Sequence, residues 1–189
     1  MKFGVGVEGP SDLIFWKKVL NKHFAPHRFD VRNMQNRDKL IRATPDLVEQ
    51  FRSAKYDGVF ILADKDKERC LTELRVLFGD TERNACQLPR DERFLNLCAP
   101  IRCVEAWYLA DEAGMRLAIP GTDYVVPANT DGQGKGGIRS LLTALYGNRV
   151  AYNEILFATS MAPLFDPAAA RLHSTSFNYF WTRLEEVTA

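Results

Sequence analysis

Three acidic residues fall where a parallel sheet would gather them. Glu8 closes a short strand-like run, Lys2 to Glu8 (KFGVGVE). Asp64 follows the almost wholly apolar run Val59 to Ala63 (VFILA), and Asp66 comes two residues later. Ligands of open parallel α/β sheets bind beyond the carboxyl ends of the strands. Residues two apart in extended chain project to the same side, so Asp64 and Asp66 share a face if the strand geometry persists. Converging carboxylates repel one another. Mg²⁺ or Mn²⁺ relieves that conflict, because hard cations prefer oxygen ligands. The local alternatives are a solvated glutamate at a strand end and an Asp-x-Asp that caps the next helix.

The elements that must position these acids alternate along the first 119 residues. Pro10-Ser11-Asp12 opens a helix whose apolar stripe is Leu13, Phe15, Trp16, Val19, Leu20 and Phe24. Phe29 to Asn33 reads as a second strand. A helical region spans about Asp38 to Ala54, interrupted at Pro45 with Thr44 as cap for its second half. The apolar run before Asp64 suits a central strand buried on both faces, and a third helix follows, ending near Phe78-Gly79. Asn84 to Leu88 and Phe94 to Ala99 read as further strands, and Ile101 to Asp111 continues as a helix to about Ala118. This order predicts an α/β fold with a mainly parallel sheet and flanking helices. Residues 120–137 are rich in glycine and read as a surface loop. Residues 138–189 read as a helical C-terminal extension packed on the core, with helices at Ile138–Tyr146, Tyr152–Thr159 and Ser176–Val187. The whole is expected to be one structural domain.

Composition narrows the function classes. The chain has 189 residues, 46% hydrophobic and 26% charged, long enough to bury its own core. Its 25 Lys+Arg against 24 Asp+Glu give a net charge of +1, so the strong basic excess of a dedicated nucleic-acid binder is absent. Any nucleic-acid contact would be local, metal-assisted or shared with a partner. Four cysteines without a C-x-x-C pair, and three histidines, exclude the usual zinc spacings and read as reduced thiols. Met1 leads straight into a strand-like run, and no apolar stretch approaches a membrane span, which predicts a cytoplasmic protein.

Val7-Glu8-Gly9-Pro10-Ser11-Asp12 resembles the glutamate motif of the TOPRIM superfamily, and Phe60 to Asp66 (FILADKD) resembles its Asp-x-Asp motif after a hydrophobic strand. The chain is most similar to short stand-alone bacterial TOPRIM-like proteins, some related to phage-defence components. Their third motif, Arg-x-x-Glu-x-Trp-x-Leu-Ala-Asp, matches Arg102 to Asp111, and their tail resembles Tyr152-Asn153-Glu154-Ile155 and Ser176 to Phe180. The resemblance implies a Rossmann-like core and Mg²⁺-dependent phosphoryl transfer. Glu8 would be a general acid/base or a metal-contacting acid. Asp64 and Asp66 would hold one or two ions, with Glu105 as a further acid. The activity implied is that of a nuclease on DNA or RNA, acting in defence against mobile DNA. The alternative is a regulatory or binding subunit that keeps the acids without fast chemistry and serves a larger ATPase or nucleic-acid partner.

Other residues stand beside this set. Asp12 would be a direct ligand, a group that supports the ligands from behind, or a helix-end charge. Lys65 and Lys67 would contact phosphate or pair with neighbouring acids, and Asp111 would be a site residue or a polar helix residue. The Asp131 to Gly137 segment lacks the G-x-x-x-x-G-K-[ST] spacing of a phosphate loop. It reads as a plain loop, or as a lid whose Lys135 touches substrate backbone. Arg37, Arg42, Arg52 and Lys55 read as a solvated helix face or the side of a nucleic-acid path.

Overall fold

A computed structural model describes residues 1–65, 71–78 and 94–189. Asp66, Lys67, Cys70, Cys86 and the expected strand at Asn84 to Leu88 lie outside the described residues. Among those described, strands β1 (Lys2–Val7), β2 (Arg28–Asn33), β3 (Gly58–Leu62) and β4 (Leu95–Cys98) form one all-parallel sheet in the order β2-β1-β3-β4. The connections carry α1 (Pro10–His23), α2 (Arg37–Ser53) and α3 (Leu71–Leu77). After β4 come α4 (Glu105–Tyr108), α5 (Glu112–Ala118), α6 (Lys135–Tyr146), α7 (Glu154–Leu164), α8 (Pro167–His173) and α9 (Thr175–Thr188). The chain is thus α/β with a Rossmann-like parallel sheet.

The two faces of the sheet are covered differently, and strand alternation shows why. Phe3, Val5 and Val7 of β1, with Phe60 and Leu62 of β3, join a large core with α1 and the C-terminal helices. Val59 and Ile61 face a smaller core built on Leu40, Leu47, Val48 and Phe51 of α2. On that second face β1 offers only Gly4 and Gly6. A Cβ at Gly4 would meet the Phe51 ring at 2.3 Å, and one at Gly6 would meet Ile61 and Leu47 at 2.9 Å. The glycines let α2 lie close against the middle of the sheet.

Three local expectations differ from the structure. α2 runs through Pro45 as one helix, capped by the Asn36 side chain accepting from Lys39 N–H. Thr44 starts no second helix; its hydroxyl donates to the Leu40 carbonyl at 2.6 Å inside the turn. The helix expected through Ala118 is two, broken before Asp111, which caps α5. α6 begins at Lys135, inside the segment read as loop, because Gly134 is extended and the helix starts immediately after it.

The C-terminal helices complete the larger core. α7 packs along α1. Trp107 of α4 stacks on Phe180 of α9 with ring centroids 5.3 Å apart, and meets Trp16 of α1 at 5.4 Å. Its indole N–H donates to Ser176 Oγ at 2.7 Å. Aromatic pairs of this kind contribute about 0.5–1.5 kcal/mol each beyond area burial. No helix among the described residues is long and apolar enough to cross a membrane.

Gly4→Ala is expected to destabilise the protein by about 1–3 kcal/mol, because the added methyl overlaps Phe51. A denaturant midpoint equal to wild type would show that α2 can withdraw from the sheet without loss.

Candidate functional site

Parallel pairing places the ends of β1 and β3 side by side, with Val7 opposite Leu62. The residues that leave these strands are therefore neighbours. Glu8 Oε1 accepts the Asp64 backbone N–H at 2.8 Å, so one acid fixes the loop that carries the other. On the far side, Lys65 N–H donates to the Pro100 carbonyl at 3.1 Å, tying the β3 exit to the β4 exit. What places Lys65 is this backbone bond, and its side chain is only partly exposed.

Glu8, Asp12, Asp64 and Glu105 line one cleft of 680 Å³, with Arg37, Lys135 and Tyr152 among the other lining residues. Glu8, Asp64 and Lys135 also line a second cleft of 770 Å³ against Arg102, Cys103 and Gly132–Gly137. The acids read from the strand ends, the acid of the third motif and Lys135 of the glycine-rich segment are thus brought together. Asp66 lies outside the described residues.

Asp12 stands at the start of α1 and lines the first cleft. Its Oδ2 accepts the Gly9 N–H at 3.1 Å at the start of α1. Burial, the charge of Glu105 and the charge of Glu8 push its carboxyl up to about 7, against the opposing Gly9 bond and Lys135. Glu105 is 2% exposed. Its Oε1 accepts the Tyr152 hydroxyl at 2.9 Å, while Oε2 is buried without a hydrogen-bond partner among the described residues. The Tyr108 hydroxyl is likewise buried and unpartnered. Burial, then the charges of Asp12 and Glu105, raise its pKa well above the usual phenol. Burial and the Glu105 charge raise the Tyr152 hydroxyl and the Cys103 thiol in the same direction, so both stay protonated at neutral pH.

Lys135 supplies cationic charge at the junction of the clefts. Its Nζ pairs with Glu154 Oε1 at 2.7 Å. Burial alone would lower its pKa, but the Glu154 hydrogen bond and the charges of Glu105, Glu154 and Asp64 outweigh burial and raise it. The glycine-rich segment that carries Lys135 is anchored rather than loose. Asp131 is buried and accepts from Ser174 Oγ at 2.6 Å, Ser176 N–H at 3.0 Å and Ser176 Oγ at 2.6 Å.

Asp111 has a different place. Its carboxylate is fully buried at the start of α5, accepting Gly114 N–H at 3.0 Å and Asp166 N–H at 2.8 Å. Burial raises its pKa, and these two bonds oppose the rise. It joins α5 to the chain entering α8 and lines neither of the two clefts.

Tyr152, Cys103, Arg102 and Glu154 enter the site although spacing alone assigned them no role. The signal was their position in the third motif and the tail segment. The contacts that give them a role cross 47 residues for Tyr152–Glu105 and 19 for Lys135–Glu154.

The donor set suits a hard divalent cation. Every acid at the junction offers oxygen, Glu105 Oε2 is a buried acceptor without a donor among the described residues, and Asp12 is raised by burial and then by the charges of Glu105 and Glu8. Among the described residues, no group of three or more His, Cys, Asp or Glu side chains closes around one point as placed.

At the level of sequence families, residues 7–185 match the family described as Domain of unknown function (DUF4276). Neither a curated protein nor a solved structure matches the chain.

The Asp12 shift carries a stability consequence. Its folded pKa of about 7 exceeds the model-compound value of 3.8. Between those values the folded state holds a proton that the unfolded state has released, so this group's contribution to stability falls as pH rises through the window and levels off above it. Asp12→Asn, which keeps an acceptor for Gly9 N–H, should remove that fall and gain about 1–2 kcal/mol over wild type at pH 8 in EDTA. Parallel stability-versus-pH curves for the two proteins, measured by denaturant titration, would contradict the shift.

Proposed function

The chain belongs to the DUF4276 family, and we propose that its acid-lined junction is the active site of a Mg²⁺- or Mn²⁺-dependent enzyme acting on phosphodiester bonds, a nuclease on DNA or RNA. The observation that carries this reading is the gathering of four carboxylates at the carboxyl edge of a parallel sheet, one of them with an unpartnered buried oxygen. The resemblance of the Glu8, Asp64-x-Asp66 and Glu105 motifs to TOPRIM proteins supports the same reading.

Asp64 and Glu105 would hold the ion, with Asp66 as a further ligand and Glu8 beside them as the base. When bound, the ion would offset charge on the phosphate and lower the pKa of an attacking water. The protein's own groups would do the rest. The Tyr152 hydroxyl holds Glu105 by one oxygen, and the other is buried without a donor among the described residues. Glu8 keeps Asp64 in place through the backbone bond and would take a proton from water at its second oxygen. Lys135 would meet a non-bridging phosphate oxygen in place of Glu154.

Calorimetry with Mn²⁺ tests the reading first. Wild type should bind. Asp64→Asn and Glu105→Gln should weaken binding by about 100-fold or more, with cleavage of nucleic acid falling in step, and Tyr152→Phe by about 10-fold. The variants should keep their thermal unfolding midpoints within a few degrees. Absence of binding and cleavage by folded wild type would overturn the enzyme reading and leave a partner-binding subunit.

A further inference from the structure

The acids do not lie at the bottom of a blind pocket. One cleft of 680 Å³ runs past the start of α1 and Arg37. The other, of 770 Å³, runs past Arg102 and the glycine-rich segment. Glu8, Asp64 and Lys135 line both, so they stand where the two clefts meet. We propose that the clefts together form one track for a phosphodiester strand that continues on both sides of the scissile bond, so that the enzyme cuts internally and does not trim ends. This rests on the nuclease reading above and adds the form of the substrate.

Size is the first argument. Pockets of about 300–1,000 Å³ enclose a drug-sized ligand. Each cleft alone is large enough for a small ligand, and a single terminal nucleotide would leave the other cleft unused. Charge is the second argument. Carboxylates at the junction repel the phosphates of an approaching strand, and a chain of net charge +1 has no general basic field to offset this. The offset has to be local. Arg37 stands in one arm, Arg102 in the other, and Lys135 at the junction.

The third argument is the open space beside two glycines of the second arm, as far as the described residues line it. An end-trimming site must stop the strand behind its terminal nucleotide. Gly132 and Gly136 line this arm, and a Cβ at either would meet nothing within 4 Å. Arg102 lines the same arm, its Nη1 donating to the Gly132 carbonyl at 3.2 Å.

The test compares substrate topology. Wild type with Mn²⁺ is given a closed circular single strand, the same strand linear and end-labelled, each as DNA and as RNA, and bis(p-nitrophenyl) phosphate as a small diester. Opening of a circle, with internal fragments from the linear strand, is the expected result, and the DNA and RNA arms identify the sugar. Stepwise loss from one end with circles intact would overturn the track while leaving the nuclease reading standing. Hydrolysis of the small diester alone would also overturn it. Failure to cleave any of these substrates would overturn both.

Strand binding to the Asp64→Asn protein, followed by fluorescence anisotropy, gives a second readout. Affinity should rise with length beyond a dinucleotide. Arg102→Gln, which keeps a non-glycine residue at the positive φ of 79°, should weaken the long strand about three- to tenfold and the dinucleotide little. Affinity independent of length would overturn the track.

Discussion

A carboxylate buried beside other carboxylates has to be carried there by something stronger than its own preference for water. For Glu105 the carrier is aromatic packing. Trp107 and Tyr108 follow it in the same short helix. Trp107 is enclosed by Trp16, Phe177 and Phe180, and Tyr108 packs on Phe15 and Phe157. A four-residue helix has little stability of its own. Its place is set by these contacts from α1, α7 and α9, and the acid at its first position is swung into the junction as a consequence. Displacing the C-terminal helices would therefore move the acid.

The sheet supplies the other half of the constraint. Its strands are parallel and covered on both faces, so the edge where the strands end is where polar groups can collect. Glu8 and Asp64 arrive there on adjacent strands, and one hydrogen bond, from the Asp64 N–H to the Glu8 carboxylate, joins their loops. The result is a rigid acidic edge from β1 and β3, approached by a separately supported acid on α4 and a cation on α6. The raised carboxyl of Asp12 reflects its burial first and then the charges of Glu105 and Glu8, which Lys135 only partly offsets.

The glycines divide into two functions. Gly4 and Gly6 are needed inside the fold, where α2 lies against the sheet with no room for a side chain. Gly132 and Gly136 face open space and are not needed for packing; they keep one cleft wide. Between them, Gly134 sits 3.2 Å, by its missing Cβ, from Cys103 Sγ, so the segment stays close to the α4 entrance while remaining open elsewhere.

The alternation of strands and helices, the buried central run before Asp64 and the acids at strand ends were legible in the sequence because each depends on local periodicity or on the rule that parallel strands end together. The continuity of α2 through Pro45 was not, since the turn is held by Thr44 donating to Leu40 and by burial against the sheet. Nor was the position of Asp111, whose residue type suits a site as well as a cap. Only the fold shows its carboxylate engaged by Gly114 and Asp166. α8 carried no periodic signal strong enough to announce itself. The sequence by itself determined that Glu8 and Asp64 would stand at the sheet edge. The tertiary structure decided that Tyr152 holds Glu105, that Glu154 holds Lys135 and that two clefts meet at the acids, because those relations join residues far apart in the chain, and local pattern carries no information about such distances.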